Sequence, residues 1–172
     1  MPSVTEILST FPERELVEWQ LRVGPKKAKE VSEEALRIGK AVDLMIQEDY
    51  RTRIPQLGLS IDPSIQNCLR GWNEFIVDYP DFYDEVINLQ QELIRDGIVG
   101  HPDFRLLRQR KRGIVDLKCA TQIRPGYWTQ TGGYSWLEND EDNVDFLGIL
   151  RLDKVTGSYE YVELTDPDEI DY

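Results

Sequence analysis

The chain has 172 residues, enough for one domain, and its 40% hydrophobic and 30% charged residues are typical of a globular protein. No apolar run approaches the roughly 18 residues that span a bilayer, and two cysteines, Cys68 and Cys119, are too few for a disulfide framework or a zinc cluster. We therefore expect a cytoplasmic protein with reduced thiols and no membrane contact. The net charge of −12 argues against a nucleic-acid-binding protein, but much of the acid lies in residues 138–145 and 166–171, and basic residues cluster at 105–112.

The first 80 residues are predicted to be mainly helical. The predicted helices are one opened by the capping box Ser3–Glu6, one over 12–24, one that begins near Pro25, and one that begins after Asp62 and ends at Pro80. In the second of these helices, Leu16, Trp19 and Val23 recur at helical spacing, which predicts a buried face. In the third, Gly39 predicts a close approach of another element, and Asp43, one turn later, is either a solvated residue or a metal ligand.

The pattern changes to strands after residue 80. Strands are predicted over 86–94, 98–107, 113–119, 144–152 and 158–164, and a helix over 125–137 lies between the third and the fourth. This order of elements predicts one α/β domain, 1–172, with a mixed sheet whose core spans residues 81–165. Residues 166–172 are predicted to form an acidic tail.

Three charged residues carry the prediction of chemistry. Asp116 and Lys118 are two apart on a predicted strand, so their side chains point to the same face. If the preceding hairpin turns between Gln109 and Arg110, Asp103 lies directly opposite Asp116. Two opposed carboxylates are destabilising unless a cation lies between them, and oxygen ligands of this kind suit Mg²⁺ or Mn²⁺. A lysine beside that cation can stabilise an attacking hydroxide or a developing phosphate charge, as phosphodiester hydrolysis requires.

The same residue types also have an ordinary interpretation. An Asp-x-Lys triplet arises easily by chance in so charged a chain, and a surface strand with a cross-strand pair is the commoner explanation. Gln130 and Tyr134 lie four apart on one predicted helix face, where they either hold a DNA phosphate or belong to an amphipathic helix. Glu92, which follows Gln91 on the strand before Asp103, is either an additional ligand or a surface glutamate.

Together these segments resemble the PD-(D/E)XK nuclease superfamily, in its RecB-type exonuclease branch. The matching segments, in the order typical of the family, are Pro102-Asp103, Asp116-Leu117-Lys118 and the segment 130–134 with its glutamine and tyrosine. Residues 2–8 are also similar to the start of phage members and of the mitochondrial genome maintenance exonuclease, and residues 150–154 are similar to their closing strands. The resemblance covers most of the chain.

This resemblance implies a restriction-endonuclease-like core, in which a central mixed β-sheet is flanked by helices. It implies that Asp103, Asp116 and the carbonyl group of Leu117 bind Mg²⁺ or Mn²⁺. It further implies that Lys118 positions or activates the attacking water.

The substrate implied by the resemblance is DNA, either single-stranded or at duplex ends, with Gln130 and Tyr134 in contact with it. One position departs from the family pattern, because Asp43 stands where this branch usually has a metal-binding histidine. An aspartate is still a ligand for a hard cation, so this difference need not abolish activity.

The sequence therefore predicts a metal-dependent DNA nuclease, and more specifically an exonuclease in DNA processing, recombination or repair in a bacterial or phage-infected cell. Arg108, Arg110, Lys111 and Arg112 either hold flanking phosphates or form a solvated turn, and Trp128 either stacks on a base or belongs to the core. Two alternatives stay open. One is a catalytically inactive protein of the same fold that binds DNA or a protein partner; the other is an acidic interaction protein with chance motif matches.

Overall fold

The computed structural model describes residues 1–55, 58, 60–138 and 144–165; the predicted acidic tail, 166–172, lies outside them. About half of the chain is helical, in α1 (Val4–Ser9), α2 (Arg14–Val23), α3 (Pro25–Thr52), α4 (Pro63–Asp78), α5 (Phe82–Glu85) and α6 (Pro125–Leu137). The strands are β1 (Val86–Leu89), β2 (Leu93–Arg95), β3 (Ile98–Gly100), β4 (Phe104–Arg108), β5 (Lys111–Cys119), β6 (Phe146–Leu152) and β7 (Tyr159–Leu164). None of the helices in the described ranges is both long and apolar enough to cross a membrane.

Helix ends follow the local sequence signals. The Ser3 hydroxyl accepts from the backbone N–H of Glu6 while the Glu6 carboxylate accepts from that of Ser3, so the predicted capping box of α1 is confirmed. The Asp62 carboxylate caps α4, with Pro63 at the first helical position. The helix predicted over 125–137 is confirmed as α6.

Strand β5 gives the sheet its mixed character. The sheet has five strands in the order β1-β4-β5-β6-β7, and β5 pairs antiparallel with β4 but parallel with β6. A parallel pair needs a crossover connection, and α6 lies in the connection between β5 and β6. The predicted α/β class with a mixed sheet is therefore confirmed.

Helices cover both faces of the sheet. Successive residues of β5 point to opposite sides, so they pack against different helices. Ile114 belongs to a core cluster with residues of α6 and α1. Val115 and Leu117 belong to a larger cluster with residues of α3 and α4. Asp116 and Lys118 alternate with these and share the face of Ile114, so they point toward α6.

The predictions of continuous strands over 86–94 and 98–107 are wrong. Strand β1 ends at Leu89 because the next residue, Gln90, has a left-handed backbone with φ of 50°. Strands β2 and β3 then form a separate hairpin around the turn Asp96–Gly97, in which both residues have positive φ. The main sheet resumes only at Phe104. Gln90 and Asp103 therefore lie just outside regular strands, where their side chains are free to turn toward one site.

The predicted burial of one face of the second helix is confirmed only in part. All ten residues of α2 are described and none is buried; Leu16, Trp19 and Val23 are half-buried. Helix α2 packs mainly against α3, so its apolar stripe is only partly covered. This leaves the Trp19 ring accessible.

Candidate active site

An open cleft of about 350 Å³ lies between α3, β5 and α6. Seven of the eight predicted site residues line it, namely Asp43, Asp103, Asp116, Leu117, Lys118, Gln130 and Tyr134. They come from separate parts of the chain, so the fold itself brings them together. The sequence predictions missed Gln90 and Tyr127, which also line the cleft.

The β4–β5 hairpin places two of the carboxylates opposite each other. Its turn consists of Gln109 and Arg110, with φ of 50° and 72°, as a two-residue turn between twisted strands requires. The register pairs Phe104 with Val115 and continues to the turn without a shift. One further step of the same register sets Asp103 against Asp116, which is the predicted alignment.

Asp103 is held from two directions. Its Oδ2 accepts a hydrogen bond from the backbone N–H of Leu117 at 2.7 Å, and its Oδ1 accepts from the Gln90 amide at 2.5 Å. Burial and the nearby Asp116 carboxylate raise the pKa of Asp103 well above its ordinary value, although Lys118 opposes that rise. The carboxyl group is therefore fixed in position but is costly to ionise without a further positive charge.

Asp116 has an incompletely satisfied carboxylate. The residue is only 2% exposed, and its Oδ2 accepts no hydrogen bond from any described residue. The Lys118 Nζ lies 2.5 Å from this oxygen and forms an ion pair with it, although the angle of approach is poor for a hydrogen bond. The ammonium offsets the cost of burying this charge, and the oxygen still lacks a well-directed donor, so it can bind a further partner.

Lys118 is positioned by α6. Its Nζ donates to the Gln130 Oε1 at 3.0 Å and lies 5.3 Å from the centre of the Tyr127 ring. The Gln130 amide in turn donates to the Tyr134 hydroxyl at 2.6 Å and to the Thr5 hydroxyl at 3.3 Å. Gln130 and Tyr134, predicted as substrate contacts, thus hold the lysine in this structure.

The Lys118 ammonium stays charged despite its burial. Burial alone would lower the pKa of Lys118, but the carboxylates of Asp116 and Asp103 outweigh it and raise that pKa above its ordinary value. The cleft therefore contains a fixed positive charge beside the oxygen of Asp116 that lacks a hydrogen bond. Such a charge is suited to a negatively charged ligand.

Asp43 joins the site through Gln90. The Asp43 carboxylate accepts from the Gln47 amide at 3.0 Å and from the Gln90 amide at 3.3 Å, and the same Gln90 nitrogen donates to Asp103. Burial raises the pKa of Asp43, and the negative charge of Asp116 adds to that rise. The predicted position of Asp43 beside the other carboxylates is therefore the observed one.

The structure does not bring Glu92 into this cleft. Its side chain is 59% exposed, and its carboxylate lies 3.4 Å from His101 Nε2. The interruption of the strand at Gln90 directs the following residues into the separate β2–β3 hairpin. Glu92 is therefore not a candidate ligand. Of its two interpretations, additional ligand or surface glutamate, the second is observed.

The basic cluster predicted near the site lies elsewhere. The β4–β5 turn is at the opposite end of β5 from Lys118, and the seven steps along the strand from Lys111 to Lys118 span about 23 Å. Arg108 pairs with Glu85 and Glu163 instead of remaining available for phosphates. Trp128, for which the sequence allows both a base-stacking role and a core role, has the core role. Its half-buried ring packs against the cluster around Ile114.

The donor set of the cleft fits a hard divalent cation. Within the described ranges, no three side chains among His, Cys, Asp and Glu group closely enough to form a metal site by themselves. Mg²⁺, however, usually takes only one or two protein carboxylates and completes its coordination with waters and substrate phosphates. Asp103 and Asp116 supply two carboxylates, and Asp116 Oδ2 is a buried oxygen without a hydrogen bond. A cation there would satisfy this oxygen and offset both the burial and the repulsion by Asp116 that raise the pKa of Asp103.

Comparison with known proteins does not place this chain in a family. No protein-family model matches it, and no curated protein matches it in sequence. Its function is therefore inferred from the geometry of the cleft.

Gln90→Asn is expected to lower metal affinity by about 10- to 100-fold, the range for residues that orient metal ligands. Asparagine tolerates the left-handed backbone at this position but is one methylene too short to join Asp43 to Asp103. Calorimetric titration with Mn²⁺ measures the effect, with Gln20→Asn on the exposed surface of α2 as the matched control. Equal Mn²⁺ affinity in the two variants would show that Gln90 does not orient the ligands.

Gly39→Ala is expected to raise the free energy of unfolding by about 0.5–1 kcal/mol, because alanine is the better helix former. The predicted close approach at Gly39 is wrong, since a Cβ there would meet no described atom within 4 Å. Gly39 instead lines the cleft, where the added methyl group of alanine points into open space. Urea unfolding of Gly39→Ala and of the unmodified protein measures the difference, and a lower stability of the variant would contradict the open surroundings.

Proposed function

We propose that this protein is a metal-dependent deoxyribonuclease with a restriction-endonuclease-like fold, of the RecB-type exonuclease branch of the PD-(D/E)XK superfamily. The observation that carries the proposal is the buried Asp116 Oδ2, which lacks a hydrogen bond, beside the charged Lys118 and opposite Asp103. A purely structural ion pair would be expected to satisfy both partners.

The sheet topology supports this choice of fold. The two acidic positions lie on an antiparallel hairpin, and the helix after the Asp-x-Lys strand crosses to a parallel neighbour. Gln130 and Tyr134 lie on that crossover helix and face the lysine. A mixed sheet flanked by helices, with the motif residues gathered at one cleft, is the arrangement that the resemblance implies.

The carboxylates of Asp103, Asp116 and Asp43, with the Leu117 carbonyl, would hold Mg²⁺ or Mn²⁺. A divalent cation bound there neutralises the carboxylates and polarises a phosphate group. Gln90 keeps two of these carboxylates at a fixed separation, because one amide nitrogen donates to both. The site therefore has oriented ligands rather than loose surface acids.

Lys118 supplies the positive charge of the reaction centre. It points into the open cleft, and its ammonium is held by Gln130 and by the ring of Tyr127. An ammonium so placed can donate to a phosphate oxygen or to the attacking water and stabilise negative charge as it develops. The hydrogen bonds from α6 keep it in one orientation before substrate arrives.

The exonuclease part of the proposal is tested with end-labelled DNA, linear and circular, single- and double-stranded, in the presence of Mg²⁺ or Mn²⁺. Stepwise shortening of linear molecules with intact circles supports an exonuclease, and the labelled products give its polarity. Cleavage of circles would overturn the exonuclease part and leave an endonuclease at the same site. Binding of Mn²⁺ without cleavage of any substrate would overturn the enzyme and identify a catalytically inactive protein of this fold.

A further inference from the structure

A second cleft, of about 410 Å³, joins the candidate active site. Ala35, Cys119 and Tyr127 line both clefts, so the two form one continuous groove. Its walls come from α2 and α3 on one side, and from residues 119–124 together with Lys154 on the other. A chain molecule held at the active site can therefore continue into this cleft.

The second cleft is lined by unpaired cations. In the part of the chain that the structure describes, Arg22, Arg124 and Lys154 make no side-chain hydrogen bond or ion pair, although each lines the cleft. The lining also contains two glutamates, Glu13 and Glu15, so the cations outnumber the anions by one; Glu13 is turned toward the start of α6, where it accepts a hydrogen bond from the backbone N–H of Gly126 at 2.5 Å. In a chain of net charge −12, a cleft with an excess of cations, none of which has a carboxylate partner among the described residues, favours an anionic ligand.

The same cleft offers a surface for an aromatic base. The half-buried Trp19 ring lines it from α2, and Thr121 and Gln122 add hydrogen-bonding groups. A positively charged groove with an aromatic side chain is the usual arrangement for single-stranded nucleic acid, because an unpaired base exposes its face for stacking. The bases inside a duplex are already stacked on each other and offer no such face.

We propose that this second cleft binds a single strand of DNA that continues from the phosphate held at Asp103, Asp116 and Lys118. This inference rests on the proposed nuclease function and specifies its substrate as single-stranded. Arg22, Arg124 and Lys154 neutralise consecutive phosphates of the strand, and Trp19 stacks on one of its bases. A duplex must open at its end before one strand can enter.

The test measures DNA binding by the intact protein without cleavage. Fluorescence anisotropy in EDTA follows a labelled oligothymidylate of about 16 nucleotides across a salt series, because the slope of log affinity against log salt counts neutralised phosphates. The variants are Arg124→Ala, Lys154→Ala and Trp19→Ala. Lys111→Ala is the matched control, because it removes the same charge at the far end of β5. Thermal unfolding confirms that each variant is folded.

Each cation variant is expected to reduce the salt slope by about 0.7 and to weaken binding at low salt, while Lys111→Ala leaves both unchanged. Trp19→Ala is expected to weaken binding by about 5- to 100-fold without a change of slope. The proposal is overturned if the cleft variants bind as the unmodified protein does, if Lys111→Ala weakens binding equally, or if duplex DNA binds as tightly as the single strand. Binding is measured in EDTA and cleavage with a metal ion, so the two tests are independent. Loss of the proposed strand binding would leave the nuclease proposal intact, and absence of cleavage would leave the strand-binding proposal intact.

Discussion

Lys118→Ala is expected to reduce the rate of DNA cleavage by about 10²- to 10³-fold, the usual cost of removing one preorganised charge from a reaction centre. The ammonium is the positive group that α6 holds beside Asp116, and alanine leaves nothing in its place. Rates are measured with saturating Mn²⁺ at a temperature where circular dichroism shows the variant to be folded. Lys111→Ala, on the same strand but exposed, is the control and should cleave as the unmodified protein does.

The same variant has a predicted effect on stability. Removal of one partner from a buried ion pair leaves the other charge uncompensated, which costs about 3–5 kcal/mol in the metal-free protein. Bound Mn²⁺ should restore part of this loss of stability, since its positive charge compensates the Asp116 carboxylate in place of the ammonium. Unchanged cleavage in Lys118→Ala would contradict its assignment to the reaction centre, whatever the stability.

Asp103→Asn is expected to abolish the stabilisation that a divalent cation gives. At a concentration about 100 times its Kd, a ligand adds about 2.7 kcal/mol of stability, which corresponds to about 5–10 °C in the midpoint of thermal unfolding for a chain of this size. We expect the unmodified protein to show this rise and Asp103→Asn to show almost none. Thermal scans with EDTA and with Mn²⁺ measure it.

Without a metal ion, Asp103→Asn should also be more stable than the unmodified protein. The neutral side chain removes the repulsion with Asp116. Its amide oxygen, in the place of the Asp103 Oδ2, still accepts from the Leu117 backbone N–H, and the Gln90 amide can rotate so that its oxygen accepts from the new amide nitrogen. Asp84→Asn, at an exposed position, controls for the loss of charge alone. An equal Mn²⁺ shift in Asp103→Asn and the unmodified protein would place the cation elsewhere.

The local parts of this fold could be predicted from the sequence. Capping residues and proline positions gave the start of α1, α4 and α6, because these signals act within one helical turn. The pairing of Asp103 with Asp116 followed from a two-residue turn at Gln109 and Arg110, since turn length fixes the register of a hairpin.

The parts that depend on a single backbone angle or on long-range packing could not be predicted. Nothing in the sequence marks the left-handed backbone of Gln90, which interrupts the strand and turns its amide toward two carboxylates. Residues 127 and 128 are both aromatic, and only the packing of α6 decides that Tyr127 lines the cleft while Trp128 joins the core. Thr5 reaches Gln130 across 125 positions of sequence, a contact that no local pattern indicates.

The positions of the basic residues relative to the cleft could not be predicted from the sequence either. Their clustering along the sequence favoured the β4–β5 turn as a phosphate site, but the direction of β5 carries that turn away from Lys118. The cations that line the groove, Arg22, Arg124 and Lys154, are far apart in sequence and form no recognisable motif. Net charge and charge runs therefore gave little information about where an anion would bind.

One measurement tests the assignment of the active site most directly: hydrolysis of an end-labelled linear single-stranded oligonucleotide by the unmodified protein and by Asp116→Asn, with Mg²⁺, with Mn²⁺ and with EDTA. We predict cleavage by the unmodified protein with at least one of the two cations, none with EDTA, and none by the folded variant under any condition. Cleavage that survives EDTA, or an Asp116→Asn variant that cleaves at the unmodified rate, would contradict the assignment.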